Sequence, residues 1–473
     1  MNQAEASINQ SGQLDEILRR QRQAHLKNPY PSASERIDRM DRVIDMVVRH
    51  EAALCEAANA DFGNRDVTAT RAMDLVSTLD SFKYCKKHVK SWMKTEKRKS
   101  NFPLGLLGAK STVEYLPLGV VGNISPWNFP VMLSLAPFAN IFAAGNRGMI
   151  KPSELTPKTS QVMADIVSES FDTDELTVVQ GEADVAAAFA ALKFDHLLFT
   201  GSTSIARRVA QAAAPNLVPM TLELGGKNPV VISKSADLKL AAEKVMWAKT
   251  MNGGQICLCP DLIYVHQSQI DDFVQHCKDS ASKLYPDFAS DKDFTHIVSE
   301  RHAKRLRNMA AEAESNGAEI IPLGEGSGRC VPPSLILNAP ADTRVMQEET
   351  FGGLLSIKPY NDIEETIEEL SQQEHPLALY YFGEDDAEIR SFSHRTLSGG
   401  MLINDLVAHC LQEDLPFGGV GDSGMGAYHG FDGFKNFSHA RAIFRQSKMD
   451  PLKMIRPPFK QKLRGYIAKQ IKP

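Results

Sequence analysis

Two cysteines stand one residue apart in the stretch Met251-Asn-Gly-Gly-Gln-Ile-Cys257-Leu-Cys259, behind two adjacent glycines. A thiol can serve as a nucleophile, a metal ligand or a redox partner, and its reactivity depends on how readily it becomes thiolate. A metal centre built from Cys257, Cys259 and the His409-Cys410 pair is disfavoured, because no second Cys/His pair has zinc-site spacing. Spacing alone does not say which thiol acts. A carboxylate, Glu223, lies in Thr-Leu-Glu-Leu-Gly-Gly between apolar residues and two glycines. Such a group is either a desolvated general base or a structural hydrogen-bond acceptor. Asn128 sits between Trp127 and Phe129 and is bracketed by Pro126 and Pro130. A rigid loop holding one amide suits a donor to a developing oxyanion, or simply a capped turn.

Two further groups concern anions and sugars. Gly201-Ser202 follows an apolar run and opens a helical pattern, so free backbone N–H groups there could hold a pyrophosphate. The sequence is not G-x-G-x-x-G, and an ordinary turn reads equally well. Lys151 and Glu154 follow another apolar run. The carboxylate could accept ribose hydroxyls, or the pair could be a solvated loop.

The elements that must carry these residues are legible from period and punctuation. Helical spacing covers 32–62 and 68–97. From Val120, five short apolar strands (VVGNIS, RGMIK, LTVVQG, HLLFTG, VPMTLEL) alternate with four helical stretches. That predicts an α/β fold with a parallel, doubly wound sheet. A second α/β set follows: PVVIS, a helix over 238–251, LIYVH, a helix over 271–284, then LLSIKPY, LALYYFG and GGMLIND with helices between. The segment 97–119 is rich in Gly, Pro and basic residues and reads as an excursion. The chain of 473 residues is too long for one core. Hydrophobic content of 43% with 23% charged residues fits a water-soluble protein, and a net charge of -5 gives no sign of nucleic-acid binding. There is no apolar secretory segment near the start, no long membrane-spanning run, and an odd cysteine count of 7. The cytoplasm is the expected compartment.

In order, PWNFP, KPSE, FTGS, LELGGKNP, GGQIC, EETFGG and PFGGVGDSGMG resemble the NAD(P)-dependent aldehyde dehydrogenase superfamily. The match covers nearly the whole chain beyond the first thirty residues. The stretch FGGVGDSGMGAYHGFDGFKNFSHAR and the later RPPF resemble its class 3 branch, most of all the coniferyl aldehyde dehydrogenase group. The resemblance implies a Rossmann-type cofactor domain (1–97 and 117–224), a catalytic domain (225–428), a β oligomerisation arm (98–116 and 429–447) and a basic tail (448–473). It makes Cys257 the nucleophile, Glu223 the base for thioester hydrolysis and Asn128 the oxyanion donor. A free thiol is mostly protonated near neutrality, so the site must favour thiolate; a helix end, nearby amides and the nicotinamide charge are the expected causes. Lys151, Glu154, Gly201, Ser202, Glu349 and Phe351 would contact NAD, with NADP possible. Phe129, Met132, Met251, Cys259 and His409 would wall the aldehyde tunnel, with a reversible Cys257–Cys259 disulfide the lesser alternative for Cys259. A homodimer acting on an aromatic, coniferyl-type aldehyde or a medium- to long-chain one is implied, with a fatty aldehyde dehydrogenase the alternative. The presence of Glu223 speaks for water rather than coenzyme A as acyl acceptor, and the intact triad of Cys257, Glu223 and Asn128 speaks against a non-catalytic relative.

The tail from Lys448 carries eight basic residues and one acidic. Phe459, Leu463, Tyr466, Ile467 and Ile471 share one helical face. Such a stripe packs on the protein's own dimer or makes weak, salt-sensitive contact with an anionic membrane.

Overall fold

The computed structural model describes residues 3–471. Three sheets organise the chain. The first runs, in spatial order, Gly424–Met425, Met220–Glu223, His196–Thr200, Val120–Ile124, Arg147–Lys151, Leu176–Val178. Five strands are parallel, and only the two-residue edge strand Gly424–Met425 is antiparallel. Alternation of side chains assigns the faces. Val120, Met149, Leu197 and Phe199 meet one apolar cluster with Leu14, Leu18, Phe189 and Val209. Val121, Ile150 and Leu198 meet another with Met40, Phe82, Phe138 and Met163. Both faces are therefore covered by helices, which is why the strands read as unbroken apolar runs.

The second sheet has the order Glu319–Pro322, Ser334–Leu337, Leu354–Tyr360, Leu262–His266, Pro229–Ile232, Ala378–Phe382, Gly400–Ile403. All its pairings are parallel except the first. The third sheet is antiparallel, with Lys110–Pro117 between Glu96–Arg98 and Ser438–Arg445. The excursion near residue 100 and the FKNFSHARAIF stretch thus join, as the resemblance implies.

Some elements differ from expectation. The helix expected over 68–97 is broken into Val67–Thr70, a π-helical turn Arg71–Val76, and Ser77–Trp92. Glu96–Arg98 is strand, because pairing with Ser111–Val113 satisfies its backbone. The unassigned region 285–353 contains the helix Glu300–Ser315 and two strands of the second sheet. A long helix, Gln3–Lys27, lies over the first sheet; buried Gln21 donates to the carbonyls of Gly148 and Thr173. In the tail, Gln461–Gln470 is helical with no buried side chain, and Phe459, Tyr466, Ile467 and Ile471 are exposed. Among the described residues, no helix is long and apolar enough to cross a membrane.

Candidate active site

A cavity of about 640 Å³ opens beyond the carboxyl ends of the first sheet's strands. That is where an open parallel sheet leaves room for a ligand. Asn128, Lys151, Glu154, Gly201, Ser202, Glu223, Cys257, Glu349 and Phe351 all line it. The fold brings together residues that come from six separate stretches of sequence.

The segment carrying Cys257 is bent by necessity. The helix Leu238–Thr250 ends, and Asn252, Gly253 and Gly254 follow with φ of 52°, 65° and 76°. A Cβ on Gly254 would stand 2.4 Å from the Gly352 carbonyl oxygen, so only glycine fits. Gln255 clamps the bend. Its Nε2 donates to the carbonyls of Asn252 (2.8 Å) and His296 (3.1 Å), and its Oε1 accepts from the Val298 N–H (2.9 Å). Asn228 Nδ2 donates to the carbonyls of Cys257 (2.7 Å) and Cys259 (3.1 Å). Cys257 is half-buried at the cavity wall.

Burial pushes the Cys257 thiol well above its ordinary range, and the nearby Glu349, Cys410 and Glu223 add to the rise. Desolvation by the surrounding chain therefore works against the thiolate. Its own backbone N–H pulls the other way but does not win.

Asn128 is buried; its Nδ2 donates to the Gln255 carbonyl at 3.1 Å and its Oδ1 has no protein partner. The same is true of both carboxylate oxygens of Glu223, which burial pushes well above the usual carboxylate range. An unpaired buried carboxyl is costly and marks a place where a proton or a ligand is handled. Glu349 is pushed up to about 8, by burial first and by Asp261 second, and its Oε1 also lacks a partner. A Cβ on Gly225 would come 2.3 Å from the Glu349 carboxylate.

Several positioning groups were not foreseen. Asp261, fully enclosed, receives Lys227 (3.1 Å), Lys249 (3.5 Å), the Thr350 N–H (3.1 Å) and the Thr350 hydroxyl. That fixes the turn bearing Glu349 and Phe351. Phe351 adopts φ 47° and meets Trp127 edge-on at 5.3 Å between ring centroids. Trp127, Arg208, Arg301, His302 and Arg305 also line the cavity. Their role depends on long-range folding, so no local signal marked them.

Lys151 is buried, donates to the Pro152 carbonyl at 2.7 Å, and is held below its ordinary range by desolvation. Glu154 is exposed at the rim. Ser202 precedes the helix Thr203–Ala213 without capping it, leaving first-turn N–H groups open.

The five expected tunnel residues do not line this cavity. Phe129, Met132 and Met251 belong to the large apolar cluster around Cys257. His409 lies against Phe417, 5.7 Å between ring centroids. Cys259 is buried in the core, its Sγ faces the Ala248 carbonyl at 3.9 Å, and both it and Cys257 are free thiols. Among the described residues, no cluster of His, Cys, Asp or Glu is arranged to hold a metal ion.

Comparison with known proteins adds the following. The model of the aldehyde dehydrogenase family matches residues 3–443. A "Probable coniferyl aldehyde dehydrogenase" of Caulobacter vibrioides is 46% identical over 97% of each chain. A "Coniferyl aldehyde dehydrogenase" of a Pseudomonas species is 43% identical over 96% of each. A solved structure of Staphylococcus aureus AldH in a substrate-bound state superposes over 100% of both chains, with a TM-score of 0.90 and 32% identity.

Proposed function

Because this chain belongs to the aldehyde dehydrogenase family, we propose that Cys257, Glu223 and Asn128 carry its reaction. The enzyme oxidises an aldehyde to a carboxylic acid with NAD(P). The supporting observation is that one cavity gathers these three side chains with the six proposed cofactor contacts.

The Cys257 thiol gives its proton to water, and the thiolate attacks the aldehyde carbon, forming the S–C bond of a thiohemiacetal as the C=O π pair moves onto oxygen. Its oxyanion takes hydrogen bonds from the Asn128 amide and the Cys257 N–H. NAD(P), when bound, supplies the hydride acceptor. The C–H pair leaves as hydride, and the carbon remains on sulfur as a thioester. Glu223 removes a proton from water, the resulting hydroxide adds to the thioester, and acid and thiol are released. The residues present fit a dinucleotide. Open N–H groups before Thr203 suit a diphosphate, Lys151 and Glu154 suit a ribose, and Glu349 offers an unpartnered carboxylate oxygen to a second ribose.

The substrate is an aromatic aldehyde of the coniferyl type, or a medium- to long-chain apolar one. Two nearly full-length relatives bear the coniferyl name, and the apolar cluster around Cys257 supports the reading. NAD is preferred, since Glu154 accepts a 2′-hydroxyl and repels a 2′-phosphate. A kcat/KM matrix tests both choices: cinnamyl, medium-chain and succinic semialdehyde, each with NAD and NADP. Cinnamyl-type or medium-chain aldehydes with NAD should lead by about tenfold or more. Succinic semialdehyde as best substrate sinks the first choice, and NADP as better cofactor the second.

The domains divide as the resemblance implies, and the protein is a cytoplasmic homodimer joined through the third sheet. The apolar stripe of the basic tail packs on the protein's own dimer, and its contact with anionic surfaces is at most weak and salt-sensitive, each basic residue contributing about 1 kcal/mol near such a surface. Sedimentation with anionic vesicles, for the full chain and for a chain ending at Arg456, checks this. Binding that survives truncation, or that ignores salt, removes the tail as the contact.

A further inference from the structure

Beneath the Asn128 loop lies an ion pair that the reaction scheme does not use. Arg65 and Asp74 have fully buried side chains and meet at 2.7 Å. Neither lines the cavity. A buried pair gives back its desolvation cost only with well-placed additional partners, and here those partners converge on one loop. Asp74 Oδ1 accepts the N–H groups of Val131 (3.1 Å) and Met132 (2.9 Å), just after Pro130. Arg65 Nη1 donates to the Asn128 carbonyl at 3.4 Å, and its guanidinium lies 5.5 Å from the Phe129 ring centroid. Asp74 itself sits in the π-helical turn Arg71–Val76, a local irregularity often found at functional positions.

The pair thus grips the loop at the backbone of Asn128 and again three and four residues later. The Asn128 carbonyl also accepts from Asn252 Nδ2 at 3.1 Å, and the side chain this loop carries to the cavity is the Asn128 amide. We propose that Arg65 and Asp74 are positioning residues that aim this amide, and that they act on the reaction through Asn128. The proposal rests on the reading of Asn128 as oxyanion donor. Donor placement matters on a scale of about 0.5 Å, and losing one such donor slows acyl chemistry by roughly 10²–10³-fold.

A double-mutant cycle on the full chain tests it. The variants are Asp74→Asn, Asn128→Ala and their combination. The readouts are the rate constant of the NADH burst after rapid mixing, the Kd for NAD, and the melting temperature. Asn128→Ala should slow the burst by about 100-fold. Asp74→Asn should slow it by about tenfold or more in the native background and less than about twofold when Asn128 is already alanine, with the Kd for NAD unchanged. Equal fold-losses in both backgrounds, or no loss in the native one, overturn the positioning role alone. An undiminished burst in Asn128→Ala sinks the donor reading and this inference with it. Should Asp74→Asn fail to fold, Arg65→Lys takes its place in the cycle. It keeps the charge opposite Asp74 but gives up the forked contact with the loop, and the same two outcomes decide.

Discussion

Cys257→Ala is expected to lower aldehyde-dependent NADH formation by roughly 10⁴-fold or more, while Cys259→Ala keeps most of it. The two thiols differ in where the backbone sends them. The left-handed run through Asn252, Gly253 and Gly254 delivers Cys257 to the cavity wall. Two residues on, Asn228 pins the Cys259 carbonyl and the Cys259 sulfur turns into the core toward Ala248. Removing that buried sulfur should cost about 1 kcal/mol of stability, visible in the melting temperature rather than in turnover. Steady-state kinetics on both variants check the distinction. Comparable activity losses would mean that Cys257 has been wrongly selected.

Glu223→Gln separates the two halves of the reaction. Hydride transfer requires the sulfur and the oxyanion donors, whereas hydrolysis requires a base. The variant should give an NADH burst at near-native rate, followed by turnover slowed by about 10²–10⁴-fold. The pH dependence carries a sign. Burial raises the Glu223 carboxyl well above its ordinary value, and a protonated carboxyl cannot take a proton from water. Hydrolysis in the native enzyme should therefore rise with pH through that raised value, and Glu223→Gln should lack the rise. A variant without any burst would place Glu223 in activating the thiol instead.

The strands that position the site were readable because both faces of the two large sheets are covered. Burial on both sides turns Val120–Ile124, Arg147–Lys151 and His196–Thr200 into short apolar runs with punctuated ends. The site residues sit at those ends, so finding the strands nearly finds the cavity. Choosing Cys257 over Cys259 was different. Their types and spacing are equivalent, and only the family resemblance separated them. The orientation of Cys259 depends on Asn228, whose role appears only when two distant segments meet. The same holds for Asp261, an unremarkable acid in the sequence that organises the Glu349 turn. The helix Glu300–Ser315 is strongly charged, and its narrow stripe of Ala303, Leu306, Met309 and Ala313 gave weak periodicity. The π-helical turn has no sequence signature to read.

Glu223 ends a strand whose outer neighbour is Gly424–Met425, paired with Glu223 and Leu222 themselves. During synthesis, the cofactor-side strands are all made long before that neighbour leaves the ribosome. Until then, the row of N–H and C=O groups beside the base is a bare sheet edge, open to the wrong partner. Sealing it closes a very long loop, a slow step for any chain. A chain cut short before Gly424 would keep that edge, beside the carboxylate proposed as the base, permanently bare and open to association.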